Sequence, residues 1–216
     1  MRDEILSRGV SRRAVLGGMA GMAALSLAGR VNAADTGGEA PALAQLVKDG
    51  KLPALADRLP KKPMVVTPYE KVGTYGGTLR RGLRGSSDHN GILRMVGNQS
   101  LVRWNLEFTQ VLPNLAERWD VNSDASQFTF YLIQGARWSD GHPFTADDVV
   151  FAIEDCVKNT DLYSATPAQL TVAGKAVDVS KIDDYTVKFT FAAPNALYLE
   201  NLATPLGQHP TLFPKH

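Results

Sequence analysis

The chain has 216 residues, 44% hydrophobic and 21% charged, which suits a folded chain with a sizeable core and excludes a disordered one. Net charge is +1 overall; 23 basic residues less five in the first 33, and 22 acidic less two, leave 18 against 20 for the remainder. That balance provides no basic stripe for phosphate backbones and argues against nucleic acid, while a lone cysteine, Cys156, excludes an internal disulfide.

In chain order, the first element is an address. Arg12 and Arg13 precede an apolar run over 14–29, rich in Ala and Gly and closed by Arg30. The run is shorter than the roughly 20 apolar residues that cross a bilayer, so no membrane anchor is expected. Val31-Asn32-Ala33 offers small residues where a signal peptidase reads, with cleavage expected after Ala33. Paired arginines, a weakly hydrophobic core and a basic end resemble a twin-arginine (Tat) signal, which implies export to the periplasm by the Tat rather than the general secretory route.

Residues 34–77 read as an extended arm. A short helix is expected over 42–47, ended by Gly50, and Pro53, Pro60, Pro63 and Pro68 favour an extended path across another surface. Residues 78–83 read as a first strand, followed by a polar loop over 84–90. Short strands are expected near 101–104 and 117–121, and 127–132 alternates with Phe128 and Phe130 on one face. The clearest helix runs over 145–158. Thr145 suits its N-cap, Asp148 stands where a capping box needs an acceptor, and Ala146, Val149, Val150, Ile153 and Val157 form one apolar stripe. A strand over 185–191 and a short helix over 195–202 complete the pattern.

Several of these segments fall into an ordered set of motifs. Pro113, Leu115, Ala116 and Trp119 read P-x-L-A-x-x-W. Gly135, Trp138, Asp140, Gly141, Pro143, Thr145, Ala146, Asp148 and Val149 read G-x-x-W-x-D-G-x-P-x-T-A-x-D-V, and Asp183-Asp184-Tyr185-Thr186-Val187 follows. Over residues 78–216 the chain resembles the family 5 extracellular solute-binding proteins, the oligopeptide, dipeptide and nickel-binding group. The resemblance implies a mixed α/β, periplasmic-binding-protein-like fold whose two lobes close over a ligand cleft. Family members are much longer than this chain, so 78–216 is expected to hold only the N-terminal part of the solute-binding domain. The implied role is capture of a small solute for the permease and ATPase subunits of an ABC importer. A peptide is the family default, with an oligosaccharide or metal chelate as alternatives. No cofactor and no enzyme activity are expected, and the expected state is a monomer. The rival readings are an exported envelope or chaperone-like module and an exported hydrolase. The hydrolase lacks a nucleophile–base pair or paired carboxylates in any motif.

Individual residues carry narrower expectations. Asp140-Gly141-His142 reads as a tight turn stiffened by Pro143 rather than a catalytic fragment. Trp119 and Trp138 are expected to pack between sheet and helix, and Trp104 is a candidate for stacking on a ligand. Ligands of open α/β sheets commonly bind at loops after strand ends, and the resemblance places the stretch after the first strand beside the cleft; Ser87, Asp88, His89 and Asn90 are therefore the candidate ligand contacts. His89, His142, His209 and His216 show no paired ligand spacing, so no metal site is expected. Cys156 is expected to be a packed, inert thiol.

Overall fold

Strict alternation of large apolar and polar side chains builds the centre of the fold. The computed structural model describes residues 39–73, 75, 77–88, 91, 92, 97 and 99–216. The strands are β1 (Val102–Trp104), β2 (Val111–Pro113), β3 (Ala116–Val121), β4 (Gln127–Leu132), β5 (Thr171–Val172), β6 (Lys175–Ala176), β7 (Asp178–Asp183) and β8 (Thr186–Thr190). The helices are α1 (Pro41–Lys48), α2 (Leu55–Arg58), α3 (Ala146–Val150) and α4 (Tyr198–Leu202).

Four strands form an antiparallel sheet in the order β3-β4-β8-β7, while β1-β2 and β5-β6 are separate hairpins. Phe128 stands opposite Phe189, and Phe130 opposite Val187. With period-two geometry these apolar side chains share one face. Phe128, Phe130, Leu132, Val187 and Phe189 are buried on that face together with Val179 of β7. Each large apolar side chain buried there stabilises the fold by about 1.5–3 kcal/mol.

The helix over 145–158 forms as expected, but not uniformly. It starts as α3 and continues over Phe151–Val157 as a π-helix. The wider winding shows in Lys158 N–H, which donates to Ile153 O five residues back at 3.0 Å. It keeps Ala152, Ile153, Cys156 and Val157 all buried. It also accompanies a docking contact: Glu154 Oε1 accepts the Val179 N–H at 2.7 Å, and its carboxylate pairs with Lys158 Nζ at 2.6 Å. The edge strand β7 is thereby tied to the helix. Burial pushes the Cys156 thiol pKa up, as an inert packed thiol requires.

The N-terminal arm crosses another part of the chain, as its prolines suggest. Lys61 N–H donates to Gln134 O at 3.0 Å, and Lys61 Nζ reaches Gln134 Oε1 at 3.1 Å. Gly135, at φ +84°, permits the crossing; a Cβ there would meet Pro60 and Lys61 backbone at 3.3 Å.

Residues 78–83 do not form the expected first strand; they are exposed and irregular. A strand needs a ladder partner, and no strand among the described residues pairs with this segment. The last α-helix begins at Tyr198 rather than 195, and a turn closed by Tyr198 N–H to Asn195 O at 3.0 Å precedes it. The hairpin β5-β6 and strand β7 carry too little alternation to stand out in sequence. β7 buries only Val179.

Candidate functional site

The polar loop after residue 84 begins with a single 3-10 turn, Ser86–Asp88. Asp88 N–H donates to Gly85 O at 3.1 Å, and Asp88 Oδ2 accepts the Arg84 N–H at 3.4 Å. Arg81 and Asp88 both crowd Gly91, each 3.5 Å from where a Cβ would stand. Ser87 lies in this turn, and His89 and Asn90 lie outside the described residues, as do Arg12, Arg13 and Ala33.

Trp104 ends β1 and is half-buried. Across the hairpin its ring faces Phe108, with centroids 6.3 Å apart and planes at 44°. Phe108 holds a positive φ of 54° at the tip, where Asn105 Oδ1 accepts the Thr109 and Gln110 N–H groups at 2.8 and 3.0 Å. A side-chain acceptor that satisfies two turn amides fixes this tip and with it a surface aromatic pair. Asp88 is held within its own turn and Trp104 within the β1-β2 hairpin; no hydrogen bond or ring contact among the described residues joins them. Phe108 was not distinguishable in sequence, since a lone exposed aromatic carries no signal.

The Asp140 motif is a turn. Asp140 Oδ1 accepts the His142 N–H at 3.0 Å, Gly141 N–H donates to Trp138 O at 3.0 Å, and Gly141 takes φ +95°. Trp138 packs on Phe144 edge to face at 5.7 Å, and Trp119 is partly buried against the core. The turn delivers the chain into α3. Asp148 Oδ2 accepts the Thr145 N–H at 2.8 Å, the reciprocal arm of the capping box. Asp148 is buried, and its other oxygen accepts the Lys215 N–H at 2.9 Å, so one carboxylate caps the helix and anchors a distant segment.

That anchoring assembles a group that sequence spacing does not show. Asp140, His142 and His216 each offer a ligand atom, and these atoms lie within 4.8 Å of one another. Their separation along the chain, 76 residues from Asp140 to His216, hides the group from any local motif.

An open depression of about 370 Å³ is lined by Tyr131, Leu132, Gln134 and residues 183–186. Its two acids are already engaged. Asp183 Oδ1 accepts the Tyr185 N–H at 2.8 Å, the main reason its pKa falls below the usual aspartate value. Asp184 pairs with Lys181 at 2.7 Å, and Lys181 also meets Asp147 at 2.6 Å. Both carboxylates hold structure together. His209 sits against Tyr163 and Gln169, and burial lowers its pKa.

Residues 110–215 match the family described as bacterial extracellular solute-binding proteins, family 5 Middle. The periplasmic alpha-galactoside-binding protein of Rhizobium meliloti (strain 1021) is 35% identical over 166 residues, covering 68% of this chain and 24% of that protein. Among solved structures, an oligopeptide-binding protein OppA superposes with a TM-score of 0.72 at 42% identity, over 80% of this chain and 26% of that one. The stachyose complex of the periplasmic binding protein MelB from Agrobacterium fabrum C58 gives 0.60 at 32% identity, over 76% and 28%. The chain thus spans about a quarter of the length of these relatives. The family match spans the capped helix, the aspartate-glycine turn and the tryptophan-bearing sheet of this chain, and the chain belongs to the family 5 bacterial extracellular solute-binding proteins.

Proposed function

We propose that this chain belongs to the receptor of an ABC importer, captures a peptide between two closing lobes, and passes it to permease subunits driven by ATPase subunits. The observation that carries the reading is the likeness to an oligopeptide-binding protein over 80% of this chain. In this reading residues 1–33 are a Tat leader bearing Arg12 and Arg13, cleaved after Ala33, and the receptor works in the periplasm as a monomer. The arm is 34–77, and 78–216 contributes to the solute-binding domain. Asp88 of the Ser86–Asp88 turn, with Ser87, His89 and Asn90, faces the solute through polar contacts, and Trp104 provides an aromatic platform. A peptide suits such a site because its backbone supplies hydrogen bonds whatever its side chains.

A second reading, capture of an oligosaccharide, rests on the alpha-galactoside-binding relative and the stachyose-bound structure. Sugar rings stack on aromatic faces, and the Trp104–Phe108 pair is the candidate for that contact.

Thermal melting of the exported chain with tri- and tetrapeptides, and separately with stachyose, distinguishes the two. A ligand present at 100 times its Kd stabilises the native state by about 2.7 kcal/mol, or about 5–10 °C in a chain of this size. A rise with peptides alone supports the first reading, and a rise with stachyose alone replaces it by the second. No rise with either refutes both. Export of a reporter by residues 1–40, unchanged in Arg12→Lys/Arg13→Lys, would refute the Tat leader.

A further inference from the structure

Three side chains with metal-binding chemistry meet on the surface at the Asp140 turn. Asp140 Oδ2 lies 2.6 Å from His216 Nε2, and Asp140 Oδ1 lies 3.8 Å from His142 Nδ1. The two imidazoles are stacked, with centroids 3.9 Å apart and planes at 17°. All three are exposed to solvent. The supports on either side are separate. The turn is closed by Trp138 N–H to His142 O at 2.8 Å and by Arg137 Nη1 to Gly141 O at 2.8 Å. His216 follows Lys215, whose N–H is held by the buried Asp148 carboxylate.

The Asp140 carboxylate faces both imidazoles, and a cation placed there draws on all three groups at once. Two imidazoles and one carboxylate are the donor set of borderline divalent ions, with a fourth position left to water. The accompanying charges do not block it. Arg137 is committed to the Gly141 carbonyl, and Lys215 Nζ lies 3.6 Å from Asp147.

We propose that Asp140, His142 and His216 form a surface site for a borderline divalent transition-metal ion, of which zinc is the representative. None of the residues assigned to solute contact takes part, and the site stands whether or not the solute reading does. Ligation exchanges the Asp140–His216 hydrogen bond for bonds from both groups to the ion, with small rotations of exposed rings. Its consequence is structural: the ion clamps the segment that carries His216 to the turn that feeds α3.

The test is titration of the full chain, without a polyhistidine tag, with zinc chloride by calorimetry, followed by melting with and without zinc. One ion per chain and a zinc-dependent rise in Tm are expected. His142→Ala and His216→Ala should each weaken binding about tenfold or more, while His209→Gln, outside the group, should bind as the unaltered chain does. Both key side chains are exposed, so far-UV circular dichroism should show folded variants. Absence of binding at about 1 mM zinc, or binding unaltered in both variants, overturns the proposal. A zinc-dependent rise in Tm that persists in both variants does so as well.

Discussion

Replacing Asp148 tests how local and distant parts of this fold are coupled. Its carboxylate is 4% exposed and has two duties: Oδ2 takes the Thr145 N–H at 2.8 Å, and Oδ1 takes the Lys215 N–H at 2.9 Å. Asp148→Ala leaves both amides without that acceptor. Thr145 is half-buried and Lys215 exposed, so water reaches each in part and the low end of the usual penalty applies, about 1–1.5 kcal/mol per amide. Loss of a negative charge at the helix N-terminus adds about 0.5 kcal/mol. The expected cost is therefore about 3 kcal/mol, read by urea unfolding, and about 6–12 °C in Tm. Asp148→Asn keeps one carbonyl acceptor and should recover roughly half of the loss. A cost for Asp148→Ala below about 1 kcal/mol would refute the dual role, since it is less than one cap alone contributes.

Further predictions rest on separate observations. Tyr198 is 1% exposed among Phe128, Phe189 and Phe191, and its hydroxyl has no hydrogen-bond partner among the described residues. Tyr198→Phe keeps the ring contacts and removes an unsatisfied polar group, so a gain of about 1 kcal/mol is expected in urea unfolding; a loss of that size would show that the hydroxyl is bonded. Gly207→Ala should destabilise strongly, because a Cβ there would overlap the Leu202 backbone; an unchanged Tm would contradict that close approach. The pKa of Asp147 lies below its ordinary value, chiefly through its hydrogen bond to Lys181, and that of Asp183 is lowered by the Tyr185 amide. Both contribute stability that is present above the ordinary aspartate range near pH 4 and lost as pH falls through the lowered folded values. Melting followed from pH 6 to pH 2 should therefore show Tm falling below about pH 4, and less steeply in Lys181→Met; equal slopes would refute the assignment to Lys181.

Much of the fold was legible because its signals are short-range. The Phe128 and Phe130 alternation, the Thr145–Asp148 cap and the Asp140–Gly141 turn each depend on residues within five positions of one another, and all three appear as expected. The candidate ligand residues were less legible. Ser87, Asp88, His89 and Asn90 are expected from their place after a strand, and no strand forms over 78–83; no hydrogen bond or ring contact among the described residues joins Trp104 to Asp88. A strand at 78–83 needs hydrogen-bonding partners that its own residues cannot specify.

The sequence by itself determined the sheet-facing residues, the helix start and the turn before it, because period, capping and glycine freedom are properties of neighbours. Only the tertiary structure decided the π winding of Phe151–Val157, the crossing of Lys61 over Gln134, and the meeting of Asp140, His142 and His216. The last two bring together segments far apart in the chain, and the π winding accompanies the contact of Glu154 with the distant Val179; no local pattern encodes which distant partner a residue will find.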